Sequence, residues 1–167
     1  ILLPNGIPDD YLRRRDGKKF REKYNIEGFM LLSVGRIHRS KGYHLVFPVV
    51  KEIPNLEYVI IGPDEGYLSK LKFLAKRLGI EERVKFVGRL NEEEKLQAYA
   101  SCDLFILPSY FEAFGISLLE AMSQGRACIS SDRGGLPWII KDVGLTFKFG
   151  DVADLKRKIK MLMTDKK

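Results

Sequence analysis

Long apolar runs are missing from this chain. No stretch approaches the roughly 18 to 20 residues that cross a bilayer as a helix, and no basic start followed by an apolar core and a small-residue cleavage site marks a secretory leader. The expectation is a soluble, cytoplasmic protein. Low-complexity tracts and internal repeats are absent too, which excludes solenoids and disordered arms. Cysteine is scarce: Cys102 and Cys128 are the only two, each beside an apolar run, without C-x-x-C spacing or a histidine neighbour. They read as small core residues, not as a disulfide or metal pair. Histidine is as sparse, with His38 and His44 alone, and both read as plain loop and helix residues. No D-x-D pair occurs, and Asp9-Asp10 stands in the leading segment, far from the candidate site, so no metal and no cofactor are expected. Neither G-x-x-x-x-G-K-[ST] nor, after the first apolar run, G-x-G-x-x-G is present, which removes the best signals for an ATPase or a nicotinamide enzyme. Asn and Gln total only six, against abundant Lys and Glu, a composition that leans toward a thermophilic source.

What is present is basic and strongly patterned. Lys and Arg total 29 against 22 Asp and Glu, a net charge of +7, but the cations are scattered among acidic neighbours with no aromatic-rich basic stripe, so nucleic acid is not the expected partner. An anionic small ligand accounts for part of the excess. A chain of 167 residues buries about 70% of its extended surface, enough for one domain spanning 1–167. Six short apolar runs read as strands: Phe29 to Val34, Tyr58 to Ile61, Val84 to Val87, Leu104 to Leu107, Ala127 to Ser130 and Gly144 to Phe147. Their near-continuous apolarity fits a parallel sheet covered on both faces. Helical patterns alternate with them at Tyr43 to Ile53, Tyr67 to Leu78, Glu92 to Ala100, Gly115 to Ser123, Leu136 to Ile140 and Val152 to Met163. Asn91 with Glu94 forms a capping box, Gly79 stops the second helix, and Pro48 should kink or shorten the first. This alternation predicts an α/β fold, a doubly wound Rossmann-like sheet of about six parallel strands with helices on both faces and ligands at the carboxyl ends of the strands.

The richest of those ends is P-S-Y-F-E-A-F-G-I-S-L-L-E-A-M, from Pro108 to Met122. Glu112 and Glu120 flank a strand-to-helix junction whose middle is Phe114-Gly115. A helix starting near Gly115 turns unpaired N–H groups and its positive end toward whatever sits beyond the strand, which suits a phosphate. If both glutamates were helical, they would lie about 12 Å and roughly 80° apart; Glu112 is instead placed on the loop, folding back toward the ligand, with Glu120 two turns up the helix. Gly115 has no Cβ to block close approach of a ligand. The loop after the first strand, G-R-I-H-R-S-K-G, projects Arg36 and Lys41, two cations suited to a diphosphate.

These strings resemble the retaining glycosyltransferases of the two-domain GT-B type, in particular the donor-binding C-terminal domain of the glycogen-synthase-like enzymes known as glycosyl transferases group 1. The resemblance also covers L-P-N-G-I at the start, F-V-G-R-L from Phe86 to Leu90 and G-G-L-P from Gly134 to Pro137, in the family's order. It implies transfer of a hexose from a nucleoside diphosphate sugar of the UDP, ADP or GDP type to a hydroxyl acceptor, without a metal. Arg36 and Lys41 would hold the donor's phosphates. Glu112 would face the transferred sugar, Glu120 the ribose hydroxyls, and the N–H groups around Phe114, Gly115 and Ile116 the phosphates or sugar. The backbone near Gly88, Arg89 and Leu90 would border the base, with Gly62 and Pro63 close by. By the same resemblance the chain is half an enzyme. Its acceptor-binding N-terminal domain would precede L-P-N-G-I, the isolated chain would transfer little or nothing, and association of the full-length protein with a membrane surface stays open.

The chain departs from the family at several points. Ala113 stands where Gly is common, and Trp138 where Glu commonly follows G-G-L-P; the segment from Ile139 to Leu145 is also shortened. These changes bear on the donor sugar more than on the fold. Two rivals are a nucleotide-sugar epimerase of the same fold, and a module that binds nucleotide without chemistry or docks its basic surface on nucleic acid or an anionic membrane. Product analysis would separate the first, and a steep fall of binding with salt the second.

Overall fold

The computed structural model describes residues 5–164. Leu3 and Pro4 of the L-P-N-G-I string therefore lie outside the described residues. A 3-10 turn at Asp9–Leu12 and a short helix α1 (Lys18–Lys23) lead into β1 (Phe29–Val34), α2 (Phe47–Glu52), β2 (Leu56–Ile61), α3 (Leu68–Leu78), β3 (Val84–Gly88), α4 (Glu92–Ser101), β4 (Leu104–Leu107), α5 (Ile116–Ser123), β5 (Ala127–Ser131), α6 (Leu136–Ile140), β6 (Leu145–Phe147) and α7 (Val152–Thr164). All six strands pair in parallel, in the order β3-β2-β1-β4-β5-β6. The expected doubly wound sheet is there, and its order reverses between β1 and β4.

Successive residues of each strand feed opposite faces, so one apolar run supplies two cores. Leu31, Tyr58, Ile60 and Ile106 join α2, α3 and α7 on one side. Met30, Leu32, Val59, Phe105 and Leu107 join α1, α4, α5 and α6 on the other. Cys102 and Cys128 are free and buried in the second core. Burial drives both thiols upward, Cys128 to about 12, so they remain protonated and act as small hydrophobes.

Pro48 shortens its helix instead of kinking it. The predicted helix from Tyr43 divides into a 3-10 turn, Tyr43–Leu45, and α2, which places Pro48 in its first turn. There the missing N–H costs nothing, because first-turn N–H groups have no partner within the helix. Asn91 accepts the Glu94 N–H at 2.8 Å and caps α4. Gly79 ends α3 at φ +67°. Asp64 also caps α3, accepting the N–H groups of Gly66, Tyr67 and Leu68 at 2.9 to 3.0 Å; these bonds, that of Leu68 first, lower its pKa.

The two elements before β1 left no apolar pattern to read, since α1 buries only Phe20. Polar bonds hold this segment instead. Arg21 donates to the carbonyls of Ser101 and Gly28 and pairs with Asp103 at 2.5 Å. Gln124, almost fully buried, donates to the carbonyls of Tyr11 and Arg13 and accepts the Arg15 N–H.

Candidate nucleotide site

Where strand order reverses, the chain leaves β1 toward one face and β4 toward the other, and a crevice opens between the two loops. The Tyr110 N–H donates to the Ser40 carbonyl at 2.7 Å and joins the two loops, while Ser131 Oγ, at the end of β5, donates to the Ser109 carbonyl at 2.6 Å. A cavity of about 470 Å³ is bounded by Asn5, Arg36, Lys41, Glu112, Phe114, Gly115, Ile116 and Glu120 among others. Residues from β1, β4 and α5 that the sequence marked separately thus share one wall.

Glu112 sits on the loop, as expected. Its carboxylate pairs with Lys41 and accepts a hydrogen bond from Ser109 Oγ at 3.0 Å, with the two charged side chains only 15% and 17% exposed. Its backbone is braced from behind, since its carbonyl accepts the Gly135 N–H at 2.9 Å. A Cβ on Gly134 would fall 2.1 Å from that same carbonyl oxygen, and one on Gly135 2.2 Å from the carbonyl of Ala113. The paired glycines of G-G-L-P are therefore needed for a backbone-to-backbone contact that holds Glu112 in place.

Gly115 lines the cavity, and packing gives a second reason for glycine there. It takes φ +87° at the start of α5, and a Cβ there would lie 2.6 Å from Leu136. Glu120 departs from expectation: α5 begins at Ile116, so Glu120 stands about one turn into the helix, not two. The residue is only 8% exposed. Oε1 accepts from Lys95 Nζ at 3.0 Å and Oε2 from the Tyr99 hydroxyl at 2.6 Å.

A second cavity of about 230 Å³ adjoins the first and shares Val34, Gly35 and Arg36 with it. Arg89 and Leu90 of the expected base-bordering segment line it together with Gly62 and Pro63. Gly88 does not line it; its carbonyl accepts the Gly62 N–H at 2.9 Å and holds the strand ends together. Phe114, which lines the larger cavity, packs its ring 6.2 Å from that of Trp138, whose side chain is largely exposed. Asp9 and Asp10 stay outside, Asp10 pairing with Arg15 and Arg13. The leading segment itself does not: Tyr11 bonds Glu92, and its ring lies 5.6 Å from Lys95 Nζ.

The structure adds residues that the motifs did not mark. Arg36 is met by Glu65, whose two carboxylate oxygens each lie 3.0 Å from its Nη1. Lys95 and Tyr99, one helical turn apart on α4, hold both oxygens of Glu120. Only the i, i+4 spacing of a lysine and a tyrosine beside an apolar face hinted at the latter pair.

The family model for Glycosyl transferases group 1 matches residues 15–167. The chain belongs to this family. It is 34% identical over 142 residues to the sulfoquinovosyl transferase SQD2 of Arabidopsis thaliana, covering 82% of this chain and 27% of that protein. It is 31% identical over 149 residues to mannosylfructose-phosphate synthase of Agrobacterium fabrum, covering 81% and 33% respectively. The chain thus spans about a third or less of the length of these two relatives. Among solved structures, Anabaena Alr3699/HepE in complex with UDP-glucose superposes with a TM-score of 0.89 at 26% identity, over 96% of this chain and 47% of that one. Among the described residues no helix is long and apolar enough to cross a membrane.

Proposed function

We propose that this chain is the donor-binding half of a retaining glycosyltransferase that moves a hexose from a nucleoside diphosphate sugar to a hydroxyl acceptor. The observation that carries this reading is the single crevice in which two cations, a helix N-terminus and two shielded carboxylates face one elongated space. A donor laid along it would put its base beside Arg89 and Leu90, its ribose at Glu120, its phosphates at Arg36, Lys41 and the start of α5, and its sugar at Glu112. That HepE was solved in complex with UDP-glucose supports a nucleotide-sugar donor as the ligand. When the bond from the anomeric carbon to the diphosphate breaks, its electron pair stays on the departing oxygen. Fixed cations and backbone N–H groups lower the energy of that charge without a proton donor of matched pKa. Glu112 faces the positive charge left on the sugar. An acceptor-binding domain of the same protein would close the crevice, so the chain alone binds donor and transfers little.

Both cations are paired with carboxylates before any phosphate arrives, and the two pairs differ in strength. Arg36 and Glu65 are 64% and 38% exposed, so that pair contributes on the order of 0 to 1 kcal/mol and gives way readily. Lys41 is shielded with Glu112. It keeps its bond to that carboxylate while its ammonium lies beside the diphosphate.

Calorimetric titration with UDP, ADP and GDP, each beside its monophosphate and glucose conjugate at two salt concentrations, tests the reading. Saturable preference for one diphosphate is expected. Arg36→Ala should weaken binding through the phosphates and Glu120→Ala through the ribose. If both variants bind like the parent, the site is wrong.

A further inference from the structure

Lys95 stands where the two cavities meet. It lines the smaller one with Arg89 and Leu90, and its ammonium bonds Glu120, which lines the larger. Glu92 lies 3.1 Å from the same ammonium, and the Tyr11 ring covers it. The side chain is only 17% exposed, so the ammonium has little freedom to leave. On the far side of the carboxylate, the fully buried Tyr99 holds the other oxygen.

This arrangement has a countable consequence for any ligand. An ionised carboxylate offers two acceptor sites on each oxygen. Lys95 takes one on Oε1 and Tyr99 one on Oε2, which leaves one free acceptor on each oxygen. Two donors on adjacent carbons, a vicinal diol, match that remainder. A ligand that lacks one of the two hydroxyls leaves one of these acceptor sites empty and forgoes a charge-assisted hydrogen bond.

We propose that Lys95 is a positioning residue which, by fixing the Glu120 carboxylate, makes this site selective for ribonucleotides over 2′-deoxyribonucleotides. The inference rests on the placement of ribose at Glu120 proposed above. Without the ammonium, Glu120 keeps only Tyr99, its free oxygen can turn or take water, and the orientation that matches both hydroxyls is no longer imposed.

The test compares UDP with 2′-deoxy-UDP by calorimetry for the parent chain, Lys95→Met, Lys95→Arg, Glu120→Gln and the double variant. The parent should prefer UDP by about tenfold or more, and Lys95→Met should narrow the preference to about twofold, on the scale of one charge-assisted hydrogen bond. Lys95→Arg restores most of it. In the Glu120→Gln background the lysine substitution changes the preference no further, which a merely structural role would not produce. The double variant removes both charges and keeps the question answerable if Lys95→Met alone does not fold. A Lys95→Met chain that keeps the parent's preference while Glu120→Gln loses it overturns the role of Lys95 and leaves the nucleotide site standing. A parent without preference, or a Glu120→Gln chain that retains it, removes ribose from Glu120 and Lys95 with it.

Discussion

Replacing Gly134 by alanine should loosen the loop that carries Glu112. The new Cβ would sit 2.1 Å from the Glu112 carbonyl oxygen, 3.0 Å from its carbonyl carbon and 3.1 Å from its nitrogen. All three are backbone atoms, so no side-chain rotation relieves the contact, and a segment must move by about 1 Å to reach van der Waals distance. Gly134 also holds φ +59°, a conformation that costs an L-residue roughly 1 to 2 kcal/mol. The Gly135-to-Glu112 hydrogen bond is strained in the same movement, a loss of about 0.5 to 1.5 kcal/mol. Together these destabilise the chain by roughly 1.5 to 3.5 kcal/mol, which for a domain of this size lowers Tm by about 3 to 14 °C. Gly66→Ala is the control, because Gly66 has φ +83° but nothing within 4 Å of an added Cβ, so only the dihedral cost applies. Thermal unfolding of both variants isolates the contact. Calorimetry should then show Gly134→Ala losing affinity for UDP-glucose more than for UDP, since Glu112 is the group displaced. Equal Tm values for the two variants would refute the argument that G-G-L-P exists to seat Glu112.

Two further outcomes follow from burial. Cys102 and Cys128 should resist a thiol reagent at pH 8 in the folded chain and both react after denaturation, because burial raises their pKa; fast labelling of the native chain would contradict their placement. Burial first and Arg39 second hold the pKa of His44 below its ordinary 6.5. The unfolded chain therefore binds more protons than the folded one as pH falls through 6.5, so this histidine's stabilising contribution is complete above that value and is lost below it. Urea unfolding at pH 7.5 and 5.5 should show a smaller pH dependence in His44→Gln than in the parent.

The sheet was legible because buried parallel strands write themselves as apolar runs, and each of the six falls within two residues of its expected start. The exception at two residues is informative. Leu56 and Glu57 belong to β2, but Glu57 breaks the run; its carboxylate accepts the N–H groups of Glu27 and Gly28 and pairs with Lys85. The leading helix was illegible for the opposite reason, since one phenylalanine and a set of arginine-to-carbonyl bonds hold it where an apolar face would otherwise be needed.

The site divides along the same physical line. Residues whose backbone geometry is unusual leave a trace, because only glycine tolerates the turns at Gly115 and Gly134, and a motif forms around them. Residues that act by charge alone leave little. Glu65 and Lys95 look like two more members of a solvated Lys/Glu surface, and 31% of the chain is charged, so nothing in the string separates a lysine that faces water from one that holds a buried carboxylate. Only the fold shows that α4 turns Lys95 and Tyr99 onto Glu120. Without them neither oxygen of that shielded carboxylate would have a donor from the protein. Selectivity at this crevice therefore depends on helix α4 as much as on the loops that carry the recognisable motifs.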